Sequence, residues 1–117
     1  MLTLFEQALV MHIIGDWILQ NDWMANNKLS LKHPAAWIHA GIHAVLLGLV
    51  LGWPAGLIIG VFHMLIDTRV PFRWWQRTFR MTEDGPTAVH VAIWTDQVMH
   101  VLCLAIWVQF FADFTLN

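Results

Sequence analysis

The sequence predicts an all-α protein, a bundle of four transmembrane helices with one amphipathic helix on the membrane surface. Three observations lead to this prediction. Apolar residues make up 58% of the 117 residues and charged residues only 12%, which lies on the membrane side of ordinary soluble usage. The apolar residues gather in four segments, each close to the roughly 20 residues that cross a bilayer core. All basic residues lie outside or at the ends of these segments. A chain of this length has room for one domain, residues 1–117.

The predicted spans cover residues of about 2–20, 35–53, 55–70 and 88–112, and the third span is rather short. The first run has neither a basic n-region nor a clear cleavage site, so we expect it to be retained as a span. A polar linker follows at 21–34, and a tight uncharged turn, LGWPAG, joins the second span to the third. The turn signal EDGP precedes the fourth span.

The segment VPFRWWQRTFR predicts an amphipathic helix over residues of about 71–81, with Pro71 at its first position. Basic side chains occur only in the first and third connections, at Lys28, Lys32, Arg69, Arg73, Arg77 and Arg80. These two connections share one side of a four-span protein. The positive-inside rule makes that side cytoplasmic and places both termini outside.

Each predicted span carries one pair of metal-capable side chains, and the two members are four residues apart: His12/Asp16, His39/His43, His63/Asp67 and Asp96/His100. Residues four apart project from the same helix face. An ionisable side chain at the centre of a membrane helix costs roughly 2.5–3.5 kcal/mol on insertion scales, so three aspartates need compensation. The predicted topology places all four pairs at similar depth, in the cytoplasmic half of the bilayer. We therefore expect one shared site.

The eight side chains supply five imidazoles and three carboxylates, enough for two divalent ions with open coordination positions. Mixed nitrogen and oxygen ligands favour Zn, with Mn or Fe as alternatives, over Ca or Mg. Asp16, Asp67 or Asp96 could act as a catalytic base instead of a ligand. Gln20 and Gln97 are predicted to hydrogen-bond the ligands. A metal-free proton relay of His and Asp is the leading alternative for the cluster.

Several classes of protein are excluded. His39 and His43 have the spacing of the two helical ligands of a zincin, but residues 40–42 are Ala, Gly and Ile, so the Glu of HExxH is missing. The single Cys103 rules out an internal disulfide, and its apolar surroundings predict an inert thiol. A net charge of −2 gives no basis for nucleic-acid binding.

Four runs, HIIGDWILQNDWMANNK, HAGIHA, HMLIDTR and TDQVMHVLCL, resemble a family of small bacterial and phage inner-membrane proteins, the domain of unknown function DUF3307. The resemblance spans almost the whole chain and makes the eight paired His and Asp residues the motif positions. The His-x-x-x-Asp pattern on apolar helices is more loosely similar to inner-membrane metal-dependent hydrolases. The family resemblance implies an inner-membrane location but no activity.

The leading hypothesis is a metal-dependent hydrolase that acts on a phosphoester or another bond of an amphipathic substrate. Arg69, Arg73 or Arg77 would then bind a phosphate through the guanidinium fork, and their alternative role is to anchor the interfacial helix. A divalent-cation transporter or sensor would need a polar path to the outer face. A structural or partner-binding subunit stapled by metal would need no open coordination position. Membrane lipids are expected partners, and a homo-oligomer is left open.

Overall fold

The structure is a computed structural model that describes residues 1–79, 81 and 83–116, with side chains up to residue 113. The described chain contains helices and no strand. In order these are α1 (Leu4–Ile13) with a π-helical turn (Ile14–Ile18) at its end, α2 (Asp22–Asn27), α3 (Pro34–Leu51), α4 (Trp53–Asp67), α5 (Val70–Phe79) and α6 (Gly85–Leu116). The all-α prediction is confirmed.

Side-chain caps set the helix ends in the N-terminal part of the chain. Thr3 and Glu6 form a reciprocal capping box at the start of α1. The side chain of Asn21 accepts a hydrogen bond of 2.9 Å from the backbone N–H of Met24, which starts α2. His33 caps α3 in the same way, immediately before Pro34. The polar linker expected at 21–34 is therefore partly helical, because its own side chains satisfy the first turn of α2.

Helices α3 and α4 form a tight hairpin, turned by Gly52 at a φ of 91°. Small residues allow the two backbones to meet. A Cβ added at Gly56 would clash with the Ala44 carbonyl and lie 2.6 Å from Gly48 Cα, and one added at Gly60 would lie 2.9 Å from Ala44 Cβ. Close approach through small residues is the usual way in which membrane helices associate.

Two helices, α3 and α6, are long and apolar enough to cross a membrane. Helices α4 and α5 together form a third candidate, bent by 53° between them. These features indicate a membrane protein with two or three candidate spans, which is fewer than the four predicted. The first predicted span is not a candidate because its helix is too short. Helix α1 has 10 residues and its π-helical turn 5, which at 1.5 Å per residue gives about 22 Å, less than the roughly 30 Å of a bilayer core.

The bend between α4 and α5 lies at Arg69, whose φ of 61° makes it the non-glycine residue with positive φ in the described chain. An arginine in this region of backbone space is uncommon and is often found at functional sites. Helix α5 begins and ends close to the predicted bounds of 71–81. Arg73 and Arg77 are exposed on it, and Arg80 lies outside the described residues.

Many large apolar side chains face outward, whereas a group of polar side chains is buried. Large apolar residues such as Trp37, Leu49 and Ile106 are at least half exposed. Among the residues whose side chains are described, seven polar ones are buried: His12, Asp16, His39, His43, His63, Asp67 and His100. On the side of the α3–α4 turn they are covered by a cluster that we call the apolar plug, formed by Ala8, Leu47, Leu51, Ala55, Ile59 and Leu104. A hydrocarbon surrounding suits this arrangement, because lipid can cover the exposed apolar surface.

Candidate metal centre

Six of the eight predicted ligands bring donor atoms close enough together to hold metal ions. They divide into two sets of identical composition, each with two histidines and one aspartate. We call Asp16, His39 and His43 the first triad, and His63, Asp67 and His100 the second triad. All six side chains are buried, and the metal-capable groups have donor atoms within 4.8 Å of one another.

In the first triad, two imidazoles converge on one carboxylate oxygen. Nε2 of His39 lies 3.1 Å and Nε2 of His43 lies 3.0 Å from Oδ1 of Asp16. The two histidines are one turn apart on α3, so both rings reach the π-helical turn that carries Asp16. Nδ1 of each ring is buried without a partner among the described residues, so the polar contacts of both rings run through Nε2.

In the second triad, Asp67 uses both of its oxygens. Oδ2 lies 3.1 Å from Nε2 of His63, one turn earlier on α4, and Oδ1 lies 3.3 Å from Nε2 of His100 on α6. Donors bound to one ion at 2.0–2.1 Å are roughly 3.3 Å apart in tetrahedral geometry. The His–Asp separations of 3.0–3.3 Å in the two triads are close to this spacing.

His63 lies at the junction of the two triads. Its Nε2 is 3.1 Å from Nε2 of His39 and 3.5 Å from Oδ1 of Asp16. The first triad and His63 therefore also form a four-ligand group. Nε2 of His63 can bind only one ion at a time. If His63 binds with the second triad, two ions have three ligands each. If it binds with the first triad, one ion has four ligands and the other has two.

The contacts are compatible with a bound cation as well as with a hydrogen-bonded network. Oδ2 of Asp67 is within 3.4 Å of two imidazole nitrogens, yet it makes no hydrogen bond with the residues that the structure describes. Three Nε2 atoms also lie within 3.5 Å of the single oxygen Oδ1 of Asp16. His39 and His43 are within hydrogen-bond distance of Asp16, and the same convergence of buried donor atoms could hold an ion.

The remaining two predicted ligands, His12 and Asp96, lie beside the triads and outside the metal-capable groups of the described chain. Nε2 of His12 is 3.3 Å from Oδ2 of Asp16 and 3.3 Å from Oε1 of Gln97. Gln97 in turn donates a 3.0 Å hydrogen bond to Oδ2 of Asp16. His12 and Gln97 thus contact the oxygen of Asp16 that faces away from His39 and His43, a position from which they orient this carboxylate. Oδ2 of Asp96 is 3.8 Å from Nε2 of His100.

Lys28 is a site residue that the sequence did not reveal. Its Nζ lies 3.1 Å from Oδ1 of Asp67, and its side chain is only 13% exposed. In the sequence, Lys28 belongs to the polar linker at 21–34, where a basic residue predicts only the side of the membrane on which the linker lies. Helix α2 and its cap fold this connection back over the site, and only that tertiary arrangement brings Lys28 to Asp67.

A pocket of about 160 Å³ opens beside the two triads, on the side opposite the apolar plug. Its lining includes Asp16, Asp67 and Asp96 together with polar side chains from four different segments: Gln20, Lys28, Arg69 and Gln97. Arg73 and Arg77 do not line it. Oε1 of Gln20 is buried and has no partner among the described residues. The candidate metal centre is therefore open on its basic side and covered on its apolar side.

Comparison with protein families matched residues 4–117 to one family, described as a protein of unknown function, DUF3307. The match covers nearly the whole chain, including every residue of both triads. Searches of curated proteins and of solved structures found no match. The family match therefore confirms the family that the sequence resembles. Its description gives no activity, so the geometry of the site is the basis for the function.

Proposed function

We propose that this chain, which belongs to the DUF3307 family, is a membrane-embedded hydrolase that uses two divalent metal ions. Its substrate would be a phosphoester, or another hydrolysable bond, in an amphipathic molecule. The observation that carries this proposal is the pair of identical two-histidine, one-aspartate triads beside one open pocket. Zn suits the ligand set best, with Mn and Fe as alternatives.

Division of the ligands as three and three favours catalysis. Each ion would have three protein ligands, as catalytic zinc sites do, and would keep at least one position for water or substrate. His63 would then serve the second triad, with Nε2 at 3.1 Å from Asp67, closer than the 3.5 Å to Asp16. The pocket that borders Asp16 and Asp67 gives the substrate access to these positions.

Two bound divalent ions would supply Lewis acidity and a nucleophilic water. Side chains of the protein would transfer the proton and orient a metal ligand. In hydrolysis, the water oxygen bonds to phosphorus while the bond from phosphorus to the leaving alcohol breaks. The carboxylate of Asp96, which lines the pocket outside both triads, would accept the proton of the water and return it to the leaving oxygen, which departs as the alcohol. His12 and Gln97 would hold Asp16 in its ligating orientation.

We further propose a location in the bacterial inner membrane, with both termini outside and four apolar segments in the bilayer. The pocket then opens toward the cytoplasmic leaflet, because Lys28 and Arg69 lie at its mouth and mark the basic side. Helix α1 with its π-helical turn would lie within the bundle without reaching both surfaces. Helix α5 would rest on the membrane surface, where Arg73, Trp74 and Arg77 are exposed.

The second candidate is a metal-stapled structural subunit. The four-ligand group of the first triad and His63 supports it, since four protein ligands give a closed structural site. A cation transporter or sensor is less well supported. The apolar plug covers the centre on the proposed outer side, where a transporter would need polar side chains.

The test is metal content together with turnover. The protein, purified in mild detergent without chelator, should contain close to two divalent ions per chain by elemental analysis. It should release phosphate from a single-chain phosphate monoester amphiphile, and a chelator should stop the release. Folded protein without bound metal would refute the proposal. One tightly held ion per chain without turnover would instead support the structural subunit.

A further inference from the structure

Lys28 and Arg69 are two cationic side chains from separate connections that meet at the mouth of the metal centre. Both line the same pocket of about 160 Å³, next to Asp16 and Asp67. Lys28 is paired with Asp67, whereas Arg69 has no ion pair within 4.0 Å among the described residues, although it interacts electrostatically with Asp96 in the same pocket. Arg69 also takes a backbone conformation that arginine rarely adopts, with φ at 61°. An arginine in a rarely adopted backbone conformation, without a close ion pair among the described residues and beside a pocket, is a candidate ligand-binding group.

The charge of the pocket favours an anionic ligand once metal is present. Three carboxylates and two cationic side chains line it, so protein alone leaves a small negative excess. Two divalent ions at the triads would make the same region positive. Asp67 would then interact with its ion, and Lys28, 3.1 Å from Oδ1, would be released to pair with another anion.

The shape of the pocket adds a second constraint. Arg69 and Ile93 line both this pocket and a groove of about 550 Å³ between α5 and the start of α6, where Phe72 and Ala88 contribute apolar walls and Glu83 and Asp84 contribute carboxylates. Gln20 lines the pocket, and its buried Oε1, which has no partner among the described residues, suits a donor such as the hydroxyl of a protonated phosphate. A phosphate group in the small pocket, with its apolar part along the groove, satisfies both features.

We propose that Lys28 and Arg69 form a subsite for a phosphate monoester group, and that Lys28 exchanges Asp67 for this group when the second triad binds its ion. The inference rests on the proposed function for the presence of metal, but it concerns binding and not turnover. It predicts two separate effects of removing Lys28. Phosphate binding should weaken, and the affinity of the second triad for its ion should rise, because a competing cation is gone.

The experiment measures binding to metal-loaded, full-length protein in detergent, first of inorganic phosphate and then of a single-chain phosphate monoester amphiphile. Lys28→Met and Arg69→Gln should each weaken binding about tenfold or more, the loss expected for a charge-assisted hydrogen bond. Arg69→Lys has the same backbone requirement as Arg69→Gln and should restore most of the affinity. Lys32→Met removes an exposed charge from the same connection and should change affinity less than twofold.

The outcomes separate the possible sources of the phosphate and the two proposals. Tighter binding of the amphiphile than of inorganic phosphate would identify a lipid-like ligand, and equal binding would identify a free phosphate group. Unchanged affinity of both probes in Lys28→Met and Arg69→Gln would overturn the subsite even if hydrolysis is observed. Loss of affinity in these variants without any hydrolysis would retain the subsite and refute the hydrolase. If Lys28→Met does not fold, Arg69→Gln against Arg69→Lys decides alone.

Discussion

Asp16 is the residue that connects most of the buried polar side chains. Its Oδ1 faces His39 and His43, while its Oδ2 faces His12 and accepts a hydrogen bond from Gln97. A carboxylate with two oxygens in two different surroundings can ligate through one and be oriented through the other. Asp67 has no such amide partner and is paired with Lys28 instead. The two triads are thus alike in ligands and different in support.

Loss of a ligand should remove metal and stability together. His43→Ala and Asp67→Ala should each reduce the metal content, and Asp67→Ala should also remove the salt bridge of Lys28, a side chain that is only 13% exposed. We expect a destabilisation of about 3 kcal/mol or more, well above the roughly 0.5 kcal/mol of surface substitutions. Elemental analysis and thermal unfolding in detergent measure the two effects. Lys32→Met, a change at an exposed residue, is the control. Full metal content in both alanine variants would contradict the assignment of these ligands.

Gly15 sets the position of His43. A Cβ added at Gly15 would lie 2.6 Å from Cε1 and 2.8 Å from Nε2 of His43, so the ring would have to move. Gly15→Ala should therefore reduce metal binding at the first triad although it removes no ligand. Gly41→Ala is a matched control, because a Cβ added there has no atom within 4 Å. Metal content and thermal stability of the two variants are compared. Equal values would show that His43 can move without loss of the ion.

At the scale of the elements, the spacing of residues predicted much of the site. The i,i+4 pairs on α3 and α4 placed His39, His43, His63 and Asp67 on inward faces, since helix periodicity is local. The π-helical turn at Asp16 was not predicted, because its i→i+5 hydrogen bond, 2.9 Å from Leu19 N to Ile14 O, has no distinct sequence signal.

The sequence also could not predict which residues from distant parts of the chain meet at the site. Asp96 and His100 share a helix face by spacing, but only His100 reaches Asp67, at 3.3 Å. Lys28 reaches Asp67 because α2 folds over the site. The same limit applies to the spans. Hydropathy marked four apolar segments, whereas the helix lengths depend on caps and on the break at Arg69.

The α3–α4 hairpin should be intolerant of added volume. Gly56→Ala would place a Cβ against the Ala44 carbonyl and the backbone of Gly48, so the helices must separate. We expect a loss of about 1–3 kcal/mol, typical of overpacking, together with weaker metal binding, since each triad draws ligands from this hairpin. Thermal unfolding and metal content test this prediction, and Gly41→Ala again serves as the control. Unchanged stability would mean that the hairpin is looser than these contacts imply.

At the scale of the whole molecule, the basic connections and the pocket lie on one side, and the apolar plug lies on the other. We expect the basic side to be cytoplasmic. Single cysteines at Ser30 and Thr78, in a background with Cys103 replaced, should react with a membrane-impermeant reagent only after cells are opened. A cysteine at Leu2, in the exposed N-terminus, should react in intact cells. The reverse labelling pattern would show that the basic residues do not follow the positive-inside rule.

The whole-molecule arrangement also separates an enzyme from a metal staple. Asp96 lines the pocket but belongs to neither triad, and its side chain is 13% exposed. If it accepts the proton during hydrolysis, Asp96→Asn should lower turnover about a hundredfold or more, in the range expected for a general base. Metal content and thermal stability should stay close to those of the unmodified protein, because both triads remain complete. Asp22→Asn, which removes an exposed carboxylate on α2, should leave turnover unchanged.

If no phosphorylated amphiphile is hydrolysed by the unmodified protein, and Asp96→Asn loses stability like a ligand variant, Asp96 is part of a closed metal site. The metal centre would then be retained and hydrolysis abandoned, because a structural site holds its ions without an open position.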